Sequence, residues 1–328
     1  MPSVSVVIPN YNHAPYLRQR IDSVLQQTFE DFEVILLDDC STDESRSIIS
    51  EYANHARIRI EFNEVNSGST FKQWKKGIGL ARGDYIWVAE SDDYADVRLL
   101  EKLVKILDEE PEVTFAYCRS FRVARDGQPN GFADWYLAGL GAQRWTTDFR
   151  ADGLEACRQT FVHANSVPNA SSVVFRRGVY ERVGGVDESL VACGDWKLWV
   201  LMALEGKIAY SSEPLNSYRE HDVTVRTAMD RTGRGAGEHL RMVRWMLERV
   251  TPTEAVVEEA YEFAAAMWVY PVLNRRVPFP IRWGLLRDAL ANDSHALRRM
   301  MRGMLTVLGL KAKKEFRLLW RRFEGRPS

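Results

Sequence analysis

The sequence predicts an α/β fold: a mainly parallel sheet with helices on both faces, followed by an all-helical C-terminal extension. Three observations predict it. Short apolar runs alternate three times with segments of helical periodicity before residue 85, the pattern of a parallel sheet wound by helices. The next run, residues 85–94, has four apolar residues and then three carboxylates in four positions, Glu90, Asp92 and Asp93. Open α/β sheets place their ligands at that end of a buried strand. Beyond about Val225 the strand signals stop, and only helical faces rich in arginine remain.

Taken in order, residues 4–8 read as a strand closed by a turn at Pro9, Asn10, Tyr11 and Asn12. Leu17, Ile21, Val24 and Leu25 then recur at helical spacing. A second buried strand, residues 32–37, runs into Asp38 and Asp39. Ser41 with Glu44 has the form of a capping box that opens the next helix, with Ile48 and Ile49 on its apolar face. Residues 58–62 make a third strand, and a polar turn at 66–69 leads into a helix through Trp74, Ile78 and Ala81. Arg82, Gly83 and Asp84 turn the chain into the acidic strand. A helix from about Val97 follows, with Leu100, Leu103, Val104 and Leu107 on one face.

Residues 114–122 read as a further strand. The loop at 126–141 carries Phe132, Trp135 and Tyr136 among glycines, and reads either as a lid or as a segment packed on the sheet. A helix at 153–161 and a strand at 172–175 come next. Trp196, Trp199, Val200, Ala203 and Leu204 form a buried helical face; residues 208–211 form a strand that ends in a turn at Pro214. The boundary near Val225 divides the chain into 1–225 and 226–328. The first part divides again into 1–122 and 123–225.

Composition narrows the classes. At 328 residues, with 45% hydrophobic and 27% charged side chains, the chain reads as a soluble globular protein. A formal net charge of −1 argues against a nucleic-acid partner. Charge is uneven, however: residues 295–326 hold ten Lys or Arg against Glu315 and Glu324. Four scattered cysteines without a Cys-x-x-Cys pair argue against a disulfide framework or a zinc site, so a reducing cytosol is expected. A strand begins almost at the N-terminus, which leaves no room for a signal peptide. The nearly unbroken apolar run at 263–273 is too short to span a bilayer and contains Pro271.

Several motifs lie in one order. They are Ser-Val-Val-Ile-Pro-Asn-Tyr-Asn at 5–12, Ser-Val-Leu-Gln-Gln-Thr at 23–28 and Asp-Asp-Cys-Ser-Thr-Asp at 38–43. Ala-Arg-Gly-Asp-Tyr-Ile at 81–86, the acidic cluster, Gly-Gly-Val-Asp-Glu at 184–188 and Asp195 with Trp196 continue the series. In that order and spacing, residues 3–221 resemble the inverting family 2 glycosyltransferases. The resemblance implies a GT-A fold, a nucleotide-binding α/β domain fused to an acceptor-binding half.

It also implies roles. Asp39, ending a strand, can accept from the N3–H of uracil or thymine, a hydrogen that cytosine lacks. Tyr11 offers a face for stacking on the base, on a turn shaped by Pro9. Glu90, Ser91, Asp92 and Asp93 correspond to the family's Asp-x-Asp metal motif, with Glu90 where Asp is usual. The longer side chain still reaches a ribose hydroxyl or a metal-bound water. Asp92 is the expected direct ligand of Mn²⁺ or Mg²⁺, with Asp93 and His221 completing the metal set. Arg219 is expected on phosphate, and Asn66, Lys72 and Arg82 on ribose or diphosphate. Asp195 matches the catalytic base, while Gly194 stands where the family usually has Glu.

The reading is an inverting transferase that moves a sugar from a UDP- or dTDP-sugar to a saccharide or lipid-linked acceptor, in cell-surface polysaccharide or glycan biosynthesis. Two rivals remain: a catalytically impaired sugar-nucleotide-binding scaffold, and a nucleotidyltransferase, which would show a glycine-rich basic loop that residues 9–13 lack. The tail, with Trp283, Leu285, Leu286, Leu290, Leu297, Met301, Leu305, Leu308, Phe316, Leu319, Trp320 and Phe323 among arginines, suits either an anionic membrane surface or packing on this chain or a second copy. The expected place is the cytoplasm, with peripheral contact at the inner face of the cell membrane.

Overall fold

The structure is a computed structural model and describes residues 1–133, 142–220, 234–274 and 277–310. Its chain divides into two compact units: residues 1–161 with 165–224, and residues 162–164 with 225–328.

The first unit is built on one ten-stranded mixed sheet. β1 (Val4–Asn10), β2 (Phe32–Asp38), β3 (Ile58–Phe62) and β4 (Tyr85–Val88) run parallel. Every residue of β1, β2 and β4 is buried, as continuous apolar runs in a two-faced sheet require. The other strands are β5 (Tyr94–Ala95), β6 (Val113–Val123), β7 (Pro129–Phe132), β8 (Phe149–Asp152), β9 (Val173–Arg176) and β10 (Lys207–Arg219). The order is β3-β2-β1-β4-β9-β6-β10-β5, with β7 beside β6 and β8 beside β10. β9 is antiparallel to both β4 and β6 and lies between them, so a strand from residues 173–176 completes the sheet begun by residues 1–122.

Seven helices accompany these strands among the described residues: α1 (Ala14–Leu25), α2 (Ser45–Glu51), α3 (Thr70–Leu80), α4 (Leu99–Glu109), α5 (Gly153–Ala156), α6 (Arg177–Arg182) and α7 (Gly194–Ala203). A five-residue π-turn, Cys157–Phe161, continues α5. Side chains alternate across a strand. Thus Val4, Val6 and Ile8 join Leu17, Ile21 and Val24 of α1 and Leu100, Leu103 and Leu107 of α4 in one core. Val7 and Leu37 face the other way, against α3, where Gly77 has no room for a Cβ beside the Val7 side chain.

Several sequence expectations need correction. The capping box does not form, because α2 begins at Ser45 and has no side-chain cap from its Glu44 N-cap. Ser41 Oγ instead accepts from Asn12 N and Asn10 Nδ2. Pro9 is a buried strand residue paired with Leu37, not part of the turn. Pro214 does not end β10: the strand passes it through register shifts at 211–216, where the missing N–H is absorbed as an irregularity. Strands β5, β7 and β8 are additional. β7 brings Phe132 onto Phe121, ring centroids 5.1 Å apart, so this part of the 126–141 segment packs on the sheet. Trp135 and Tyr136 lie outside the described residues.

The second unit is helical: α8 (Arg234–Val250), α9 (Glu254–Leu273), α10 (Phe279–Asn292) and α11 (Ala296–Leu310). Arg299 of α11 is buried and bonds Asp293, Glu258 and Glu262, at 2.8, 2.8 and 3.0 Å. Among the described residues no helix is long and apolar enough to cross a membrane.

Candidate active site

The C-terminal ends of β1, β2 and β4 meet along one edge of the sheet, and a buried carboxylate anchors that edge. Asp93 is almost fully buried. Its Oδ2 accepts from Ser171 Oγ (2.7 Å) and Asn169 Nδ2 (2.9 Å), and its Oδ1 from Arg219 N (3.0 Å). Arg20, fully buried on the apolar face of α1, donates through Nε to Glu90 O at 2.8 Å and places Nη2 3.8 Å from Asp93 Oδ2. Burial lowers the Arg20 pKa to about 10, opposed by Asp93 and the neighbouring acids. Asp93, expected as a metal ligand, instead serves the fold: its side chain is buried and both oxygens take donors from inside the protein. Arg219 fails as a phosphate ligand for a like reason. Its guanidinium is buried and donates to Asp92 O, Ala124 O, Arg125 O and Gln19 Oε1, while lying over the rings of Tyr16 and Tyr94.

Above this floor, Glu90 Oε1 accepts from Trp74 Nε1 at 2.7 Å, and Thr70 Oγ1 is 3.5 Å away. Burial first, and the Asp92 charge second, push the Glu90 pKa up to about 8. Ser91 is buried with Oγ 2.8 Å from His13 Nδ1, so its side chain supports the loop instead of meeting a donor. Asp92 is half-buried. Among the described residues no group of three or more His, Cys, Asp or Glu is arranged to hold a metal. His221 lies outside them. A half-buried carboxylate such as Asp92 would suit a divalent ion that takes its other ligands from a diphosphate and water.

At the end of β2, Asp39 is buried. Its Oδ1 accepts from Asn63 Nδ2, Ser67 N and Gln73 Nε2, whereas Oδ2 accepts from Ser67 Oγ. Tyr11 is 46% exposed in the adjoining loop, which Asn12 turns with a φ of +57°. Asn66 serves that same loop cluster, giving Nδ2 to Asp39 O and taking Gly68 N on Oδ1. Lys72 Nζ donates to Ser67 O at 3.2 Å. Arg82 is in the wrong place for a nucleotide. It precedes β4, at the opposite edge of the parallel strands, and its guanidinium holds Glu33 at the start of β2. The whole of β4 separates it from Glu90.

Asp195 stands in the first turn of α7, behind the Cys193 N-cap. Its Oδ1 accepts from Trp196 N (2.7 Å) and its Oδ2 from Asn165 Nδ2 (2.9 Å). Burial raises its pKa to about 6, and those two hydrogen bonds hold it back. A carboxylate tuned to that range is ionised near neutral pH yet basic enough to take a proton. Gly194 has a packing reason: a Cβ there would stand 2.5 Å from Phe71 Cε2.

The model of the family described as Glycosyl transferase family 2 matches residues 5–163. The chain carries a family 2 glycosyltransferase domain. An uncharacterized protein of Mycobacterium tuberculosis is 29% identical over 341 residues, which cover 99% of this chain and 87% of that protein. TarS of Staphylococcus aureus, a poly(ribitol-phosphate) β-N-acetylglucosaminyltransferase, is 32% identical over 111 residues, 33% of this chain and 19% of its own. The crystal structure of TarS residues 1–349 with UDP-GlcNAc aligns with a TM-score of 0.70 at 18% identity, over 90% of this chain and 82% of that one. The mannosyltransferase PcManGT of Pyrobaculum calidifontis, solved with GDP-Man and Mn²⁺, aligns with a TM-score of 0.60 at 18% identity, over 99% and 84%. These likenesses establish the GT-A fold for the glycosyltransferase domain.

Sequence reasoning missed Arg20, Trp74, Asn165, Asn169 and Ser171. Arg20 left one signal, a lone cation on the stripe of Leu17, Ile21 and Val24. The Asn165 bond favours the ionised form of Asp195, so its loss raises the Asp195 pKa. Asn165→Ala is therefore expected to move the acid limb of the pH–rate profile from near pH 6 to higher pH. A limb that stays in place removes Asn165 from the control of Asp195.

Proposed function

We propose that the family 2 glycosyltransferase domain transfers a sugar with inversion from a UDP- or dTDP-sugar to a saccharide or lipid-linked acceptor, in the building of cell-surface polysaccharide. The observation that carries this reading is Asp195, held by Asn165 and Trp196 N at the start of α7 with its pKa lifted to about 6. In an inverting transfer the acceptor hydroxyl attacks C1 in line and loses its proton as the bond forms, and Asp195 takes that proton. Asp39 Oδ2, with one donor of its own, is the acceptor offered to the N3–H of the base, and Tyr11 is the exposed ring beside it. The bound donors in the TarS and PcManGT structures support a nucleotide-sugar cleft in this fold.

Asp92 would hold Mn²⁺ or Mg²⁺. When bound, such an ion offsets the charge of the diphosphate leaving group. The impaired-scaffold reading loses support, because Glu90 is hydrogen-bonded in place and Gly194 makes room for Phe71. Slow hydrolysis of a UDP-sugar without acceptor separates the two.

Asp195→Asn keeps the size of the side chain. We expect kcat to fall at least ~10²-fold with donor KM nearly unchanged. Turnover close to wild type would place the base elsewhere. Asp92→Ala is expected to lose the part of UDP affinity that depends on Mn²⁺, measured by calorimetry with and without the ion. An undiminished Mn²⁺ effect in this variant rejects Asp92 as the ligand.

The second unit supports a finer reading of location. Phe279, Trp283 and Leu290 of α10 and Leu297, Met301 and Met304 of α11 are exposed, each set at helical spacing, with exposed Arg287 and Arg298 nearby. Peripheral contact with an anionic lipid surface follows from that pattern. The stripe residues beyond 310 lie outside the described residues. Full-length protein should co-sediment with anionic liposomes, and Trp283→Ala with Met301→Ala should weaken the association. Protein that ignores such liposomes rules the contact out.

A further inference from the structure

The two positions at which this chain departs from the family pattern, Glu90 and Gly194, are joined by side chains of α3. Trp74 Nε1 donates to Glu90 Oε1 at 2.7 Å. Phe71, one turn earlier, meets Trp74 edge-on, with ring centroids 5.4 Å apart and planes at 87°. The same Phe71 ring fills the space where a side chain at 194 would start, 2.5 Å from Cε2 and 2.7 Å from Cδ2. Trp74 also lies 6.4 Å, centroid to centroid, from Trp199 on α7. Both α3 residues are buried, and packed rings transmit displacement because no void absorbs it.

We propose that Phe71 and Trp74 are positioning residues that join Glu90, at the donor end of the cleft, to the start of α7, where Asp195 stands. The proposal rests on the reading of that cleft given above. An Asp at 90 is one methylene shorter and stops short of the Trp74 indole. Any residue other than Gly at 194 drives the Phe71 ring back along the same line. Glu90 and Gly194 thus form the two ends of one contact chain, and the residues of α3 set the base relative to the donor.

The test uses full-length protein with UDP and Mg²⁺ as the probe. The indole N–H resonance of Trp74 is identified by its loss in Trp74→Phe. We expect Gly194→Ala to move that resonance without any ligand, although Gly194 does not touch Trp74 through a side chain. We also expect it to weaken UDP binding at least about fivefold, within the range of coupling between packed side chains. The double variant Phe71→Ala with Gly194→Ala removes the ring that transmits the push. Its UDP affinity should stay within about twofold of Phe71→Ala alone, the non-additivity that linked positions show. Three results overturn the proposal. One is an unmoved Trp74 resonance in Gly194→Ala. Another is a double variant weaker than Phe71→Ala by the full factor that Gly194→Ala costs in the wild-type background. The third is wild-type protein that does not bind UDP, which removes the donor cleft itself and is recognised by failing before any substitution is made.

Discussion

A carboxylate with no access to water must be met by donors, and Asp93 imposes that requirement on the whole first unit. Ser171 and Asn169 reach it from the segment before β9, Arg219 N from the end of β10, and Arg20 from α1. Removing one partner of such a buried group costs on the order of 3–5 kcal/mol, a large part of the stability of an ordinary domain. Arg219 then returns the favour to the loop that carries Asp92, through its bond to Asp92 O, and ties it to residues 124 and 125 beyond β6. The floor of the cleft is therefore assembled from four distant pieces of chain around one charge. Such a floor can hold Glu90 and Asp92 in place before any donor arrives, the preorganisation on which electrostatic catalysis depends.

The two edges of the parallel strands divide the labour. At the N-terminal edge, Arg82 bonds Glu33, Ser5 Oγ accepts from Arg82 N and Gly83 N, and Arg177 Nε donates to Gly83 O. These contacts tie the N-terminal ends of β1, β2 and β4 together. At the C-terminal edge, non-glycine residues with positive φ, Asn12 and Cys40, bend the loops after β1 and β2 toward each other. Asn12 Oδ1 accepts from Thr42 N, and Ser41 Oγ accepts from Asn12 N, so the loops are stitched across. Open α/β sheets put chemistry at this end, and backbone strain collects where geometry matters.

Much of this was legible in the sequence. Strands buried on both faces read as unbroken apolar runs, the alternation with helices fixed the class, and ordered motifs located Asp195, Asp39 and the acidic cluster. Arginines were the weak point, because a sequence shows a charge but not its partner. Arg82 finds Glu33 from 49 residues away and Arg219 finds Gln19 from 200, and neither distance is visible in a local pattern. The two-residue β5 and the four-residue β8 are too short for periodicity, and Pro214 signalled a break where β10 only shifts register. Trp74 looked like core, which it is, and its Nε1–H gave no sign of Glu90.

β9 has a consequence for how the chain can be made. β4 and β6 are not neighbours: β9 runs between them, in the opposite direction, and comes from residues 173–176. A ribosome delivers the chain from the N-terminus, so β4 and β6 leave it well before the strand that separates them. Through that interval each has an edge of unpaired N–H and C=O groups, the arrangement that invites pairing with the wrong strand. Residues 1–122 thus hold no closed sheet of their own, and a chain cut there would leave β4 open where β9 belongs and β6 without either of its neighbours β9 and β10.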